Sequence, residues 1–290
     1  MMMRQGKTGG FTLVELMISI TLGILLSAAI LQAFVATRSS YRVQEAISQI
    51  QATSRLAIHF IGRDMRMAGY MGCASLNVNG PTNLVSNPPA DAIFNENTMV
   101  TGFDNLGTTN EFGAVAGTDA VTVRMATSRS LQLTGNMAAV NANIQVAANE
   151  LNLVKDDIVM ITDCETTDMF QATTVSKGSG KVTIVHSSSK NISNNLSKAY
   201  GPDSEIVAFE SVSYYVGDTG RTTSDGAPIH ALYVKRRTAG SGGAIPNGAE
   251  LVEGIENMQI TYGVDTNNDG SIDLYRDASA VTDWASVISV

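Results

Sequence analysis

The feature that most constrains this chain is an unbroken apolar run, FTLVELMISITLGILLSAAILQAFVA, that begins at Phe11 directly after the short polar leader MMMRQGKTGG. Its length matches the roughly 20 residues that a bilayer-spanning helix needs, so the segment reads as a membrane span. Arg4 and Lys7 lie before it. By the positive-inside rule they stay in the cytoplasm, and everything after the span faces outward. An ordinary secretory signal has its small residues after the apolar region, whereas Gly9 and Gly10 come before it, so cleavage at that junction would leave the span on the mature protein. A plain uncleaved signal anchor explains the run but neither the Gly-Gly junction nor Glu15, a lone carboxylate near the start of the span, where an unpaired charge is costly.

The remaining totals narrow the class. A chain of 290 residues, 44% of them hydrophobic, can bury a substantial core. A net charge of −8 argues against direct nucleic-acid binding, which needs clustered Lys and Arg. Gly6-Lys7-Thr8 lacks the upstream glycine and preceding strand of a phosphate loop. His59, His186 and His230 stand apart, H-E-x-x-H and G-x-S-x-G are absent, and no catalytic constellation emerges. The chain does not read as an enzyme.

Past the span the sequence has no proline until Pro81, and Val43, Ile47, Ile50, Ala57, Ile61 and Met65 recur at spacings of three, four or seven. This predicts one helix from about Thr12 to about Ala68, on the order of 80 Å long, whose second half packs on a sheet. Gly69 is a natural terminator. Beyond it the helical period gives way to short β-rich runs between Gly, Asn, Asp and Pro clusters. Strands are expected at 120–125, 130–133, 158–162, 170–175, 181–186, 206–216, 229–236 and 258–264, with long loops from Asn77 to Thr118. Those at 229–236 and 258–264 are the central candidates. The fold class is α+β: a long N-terminal transmembrane and amphipathic helix on a mostly antiparallel β-sheet domain.

Gly10-Phe11-Thr12-Leu13-Val14-Glu15 resembles the class III signal of type IV pilins and type II secretion pseudopilins. The resemblance implies that a prepilin peptidase cuts between Gly10 and Phe11 and methylates Phe11, and that Glu15 pairs with the Phe11 amine of a neighbouring subunit, so that neither charge is left alone in an apolar core. Arg63 to Tyr70 with Gly72-Cys73, Ile161 to Cys164, and Leu251 to Tyr262 followed by Trp284 are similar to the PilW-type minor pilins. Chains of that kind continue past the Trp with a further strand and tail, so the resemblance also implies truncation at Val290.

These expectations divide the chain into a cleaved leader (1–10), a long helix (11–69) with its membrane or fibre-core half at about 11–36, and an exterior β-rich domain (70–290). The implied place is the inner membrane as a single pass, N-terminus cytoplasmic and globular domain periplasmic, and then the pilus and cell surface. Implied partners are other major and minor pilins, the prepilin peptidase and the inner-membrane assembly platform. A pseudopilin of an export system and an adhesin-like module, with the 77–118 loops as its tip, are the alternatives.

Two further sites come from the residues. Cys73 and Cys164 are expected to form one structural disulfide in an oxidising compartment, with two separately buried thiols as the alternative. Asp265, Asn267, Asp269, Ser271 and Asp273, with Gly270, reproduce the first half of a calcium loop, yet position twelve is Arg276. A single calcium ion, with Asp277 or a backbone carbonyl contributing, and a polar Asx-rich turn without cofactor are both open.

Overall fold

The computed structural model describes residues 10, 12–76, 80–244 and 247–290. Its first element is helix α1 (Leu13–Met65). Contacts divide the chain into two compact units, one ending at Ala52 and one running Thr53–Val290, so the last turns of α1 fold with the strands.

The start of α1 is a capping box. Thr12 Oγ1 accepts the Glu15 amide at 3.3 Å, and the Glu15 carboxylate accepts the Thr12 amide at 3.0 Å. The helix ends over Met67–Gly69 in tight turns, with Gly69 at φ +75° and its amide bonded to the Arg124 carbonyl. A side chain there would be strained by that φ and would press on Met99 and Leu76 at 3.2–3.3 Å.

The strands are β1 (Thr82–Asn83), β2 (Val100–Phe103), β3 (Ala120–Ala126), β4 (Leu131–Gln132), β5 (Ile144–Val146), β6 (Ile158–Thr162), β7 (Thr167–Gln171), β8 (Thr174–Gly178), β9 (Lys181–Val185), β10 (Glu205–Thr222), β11 (Pro228–Arg237), β12 (Ala249–Glu253), β13 (Thr261–Val264), β14 (Leu274–Asp277) and β15 (Val287–Ser289). The main sheet runs β1-β7-β6-β10-β11-β12, with β2, β3 and β4 joined through β10. Every pairing is antiparallel except β1 with β7. β10 is its axis: residues 205–208 pair with β6, and residues 209–215 pair with β3. Two three-stranded sheets, β5-β9-β8 and β14-β13-β15, complete the domain.

Alternation along the central strands separates two faces. Val121, Val123, Val212 and Tyr214 are fully buried in one core with Ala57 of α1, against which Phe60, Ile61 and Met65 also pack. Further along, Ile161, Phe170, Ile184 and Ile206 form a second core under the β5-β9-β8 sheet.

Most expected strands are present, and the departures have local causes. The run 170–175 is two strands, because the Ala172 amide still bonds Asp157 beside β6 while the Thr173 amide already bonds Val185 of β9. The run 258–264 enters the ladder only at Thr261, since the Ile260 amide is taken by the Asp119 carboxylate at 2.7 Å. β11 is interior to the main sheet and β13 is central to its own small sheet. The 77–118 stretch contains β1, a 3-10 turn at Ala90–Ala92 and β2 as well as loops. The expected packing of the helix's whole second half is corrected: Val43, Ile47 and Ile50 are exposed, and burial starts near Ala57.

Candidate functional site

Leu13 to Val35 present apolar side chains on every side of α1, and these are all exposed in the single chain. Among the described residues this is the one helix long and apolar enough to cross a membrane. Its hydroxyls are answered within the helix: Ser19, Thr21, Ser27 and Thr37 donate to the carbonyls of Glu15, Met17, Gly23 and Ala33 at 2.7–3.0 Å. That arrangement suits a segment surrounded by lipid or other helices, where water cannot serve the hydroxyls. Glu15 is the exception. It is the single charged residue between Thr12 and Thr37, and among the described residues its carboxylate accepts from the amide and hydroxyl of Thr12, at 3.0 and 3.1 Å. Gly10 is exposed. Phe11, the expected cleavage and methylation residue, lies outside the described residues.

The lower end of α1 is fastened by a buried charge that the sequence did not announce. Asp64 is buried on the face turned to the sheet, accepts from Tyr214 Oη at 2.8 Å and from Arg63 Nε at 3.0 Å, and is ion-paired with Arg236 Nη2. Burial alone would raise its pKa, but the Tyr214 hydroxyl and the Arg236 charge, with the Arg63 and Arg236 hydrogen bonds, hold it below the usual carboxylate range. Glu210, also near Arg236, is instead raised, chiefly by burial. Tyr214 also donates to the Phe60 carbonyl, at 3.3 Å. One phenol thereby joins the helix backbone, the Asp64 side chain and strand β10.

Cys73 and Cys164 form a disulfide, with Cα atoms 4.9 Å apart. It ties the segment just past the helix to the tight β6–β7 turn, where Cys164 sits at φ +72°. The Cys73 amide also donates to Glu205 Oε1 at 3.1 Å, and a side chain at Gly72 would meet that oxygen at 2.6 Å.

The Asp265 loop is organised by its own backbone. Asp265 Oδ2 accepts the Gly270 amide at 2.7 Å, and its Oδ1 accepts the amides of Asn267 and Asp269 at 3.3 and 3.2 Å. Asp273 accepts from Thr266, the Asn267 side chain lies 3.5 Å from Asp273, and Asp269 accepts the Ser271 amide. Asp277 lies in β14. Among the described residues, no group of three or more His, Cys, Asp or Glu is placed to hold a metal ion. The histidines are dispersed: His59 is exposed on α1, His186 is buried with Nε2 3.0 Å from the Ala142 carbonyl, and His230 pairs with Glu256 at 2.8 Å.

Residues 6–31 match the prokaryotic N-terminal methylation motif, the class III signal that pilin-like proteins carry. Residues 213–290, from the middle of β10 through β15, match the family model described as Type IV Pilus-assembly protein W. Together the two matches support a type IV pilus-related, pilin-like protein resembling the PilW type, with a signal and an apolar helix that fit a single-pass membrane anchor. Both matched families are structural pilus-assembly proteins rather than enzymes. No curated protein and no solved structure matches the chain.

Proposed function

We propose that this chain is a minor pilin that helps initiate type IV pilus assembly at or near the fibre tip. The observation that carries the reading is the exposed apolar length of α1 with Glu15 as its single charge. Before assembly, residues 11–36 cross the inner membrane, with Arg4 and Lys7 on the cytoplasmic side and the β-rich domain in the periplasm. Prepilin peptidase hydrolyses the Gly10–Phe11 peptide bond, and the freed Phe11 amine takes a methyl group from a sulfonium donor, which leaves as the thioether while the amine loses a proton.

In the fibre, the apolar surface of α1 exchanges lipid for the helices of major and minor pilins above the assembly platform. Glu15 then meets the Phe11 amine of a neighbouring subunit. Each ion is costly alone in an apolar core, so only the register that joins them is favourable. Thr12 supplies the alternative partner that keeps Glu15 satisfied until that register is reached.

Glu15→Val tests this in a piliated strain. The expected result is a processed, membrane-retained protein missing from sheared pili, with fewer pili per cell. Normal pilus numbers after deletion of the whole gene, with loss of surface attachment alone, would favour the adhesin reading instead. Loss of protein export with normal pili would favour the pseudopilin.

A further inference from the structure

The face of the central sheet opposite α1 carries two polar rows in register, between apolar clusters around Phe209 and Tyr215. Arg124, Ser211 and Arg237 lie directly across from one another on β3, β10 and β11, and Thr122, Ser213 and Lys235 form the next row. Five of the six are buried, all but Lys235. Polar side chains are costly at such positions unless something answers them.

The 3-10 turn at Ala90–Ala92, Phe103 and Glu111-Phe112 close over these rows and leave a cavity of about 90 Å³. That is well below the ~300 Å³ and more of pockets for drug-sized ligands, so an occupant must be small. Its sign is set by the charges. Arg124, Arg237 and Lys235 line it, against the carboxylates of Asp91 and the exposed Glu111.

Asp91 is already committed, accepting from Arg237 Nε at 2.7 Å, Arg237 Nη2 at 3.1 Å and Ser211 at 2.9 Å. Arg124 has no such partner. It donates to the carbonyls of Asp91, Thr98 and Ala90 and to the Thr101 hydroxyl. No carboxylate oxygen among the described residues lies within ion-pairing distance of it. Burial lowers its pKa to about 10, against the raising effect of Asp91 and Glu111. Lys235 donates to the Glu111 carbonyl at 2.7 Å and stands 5.8 and 5.9 Å above the rings of Phe112 and Tyr215. Thr122 and Ser213 share one hydrogen bond of 2.7 Å. Two hydroxyls carry two protons, so one remains to be donated elsewhere.

We propose that this cavity is a binding site for one small oxyanion, a phosphate or a carboxylate, held between Arg124, Lys235 and the Thr122–Ser213 hydroxyl pair. A buried guanidinium beside an ammonium and a free hydroxyl proton is the donor set that such an anion fits. The oxyanion arrives either free in solution or as an acidic group of another protein.

The test is thermal unfolding of the full chain in detergent micelles, titrated with inorganic phosphate and, separately, with acetate, at ionic strength held constant with chloride. The site predicts a saturable rise in Tm, and in Lys235→Gln a half-saturating concentration about tenfold higher, as expected when one charged hydrogen bond is lost. Ser213→Ala, which keeps both cations, should weaken the response in the same direction. Saturation by phosphate alone assigns the free tetrahedral anion, and saturation by acetate as well assigns a carboxylate such as a partner's side chain. No saturable response to either anion overturns the proposal. An equal response in wild type and Lys235→Gln also overturns it, because that is what general salting effects on the folded state produce.

Discussion

Asp64 shows how one residue joins the helix to the sheet. Its carboxylate is held by Tyr214, Arg236 and Arg63, so Tyr214→Phe leaves a buried acceptor short of a donor and is expected to cost on the order of 1–3 kcal/mol at pH 7, measured by urea unfolding of the full chain in detergent. The pH dependence follows from the lowered pKa. A carboxylate depressed in the folded state stabilises above its ordinary pKa, near 4, and that contribution fades as pH falls through the folded value. The penalty of Tyr214→Phe should therefore shrink as the pH falls below about 4. Asp265 makes the parallel case in the loop, where it caps three backbone amides. Asp265→Ala is expected to cost about 1–3 kcal/mol in chelator as well as in calcium. A cost appearing only with calcium would assign an ion to the loop. Glu15 and the two cysteines were legible because each breaks the pattern around it. Asp64 was not, since a charge beside Arg63 on a helix reads as solvated until the sheet covers it.

The helix and strands were legible to the extent that local pattern decides them. α1 follows from an apolar period without proline, and Gly69 ends it in a conformation that glycine adopts cheaply. Where the register depends on a distant partner, the pattern fails, as at Ala172–Thr173, where the chain leaves β6 for β9, and at Ile260, where a carboxylate replaces a strand. The polar rows of β3, β10 and β11 escaped for the same reason: Arg124 looks like a solvent-facing residue until β10 and the Ala90–Ala92 turn enclose it. The disulfide acts at this scale too, joining the segment after α1 to the β6–β7 turn over a separation of 91 residues. Closing a loop of that size stabilises by about 4–5 kcal/mol in the chain-entropy account. The double variant Cys73→Ser, Cys164→Ser should lose up to that amount in chemical denaturation, and reductant should do the same to the wild type while leaving the double variant unchanged.

The whole molecule makes sense as two kinds of surface. The domain from Thr53 onward buries its own cores, whereas Leu13 to Val35 leave every large apolar side chain for a lipid or a neighbouring helix to cover. The matches to the methylation motif and to the PilW model fall in different parts of the chain, residues 6–31 and 213–290, so the N-terminal segment and the β-rich domain are each matched to a pilus-related model. The central claim is that the leader is removed and the helix kept. Intact mass and N-terminal sequencing of the membrane-extracted protein, from cells with and without prepilin peptidase, test it most directly. The account predicts a start at Phe11 bearing one added methyl group only where the peptidase is present. The same uncut N-terminus in both strains would contradict it and leave an ordinary signal anchor carrying a β domain.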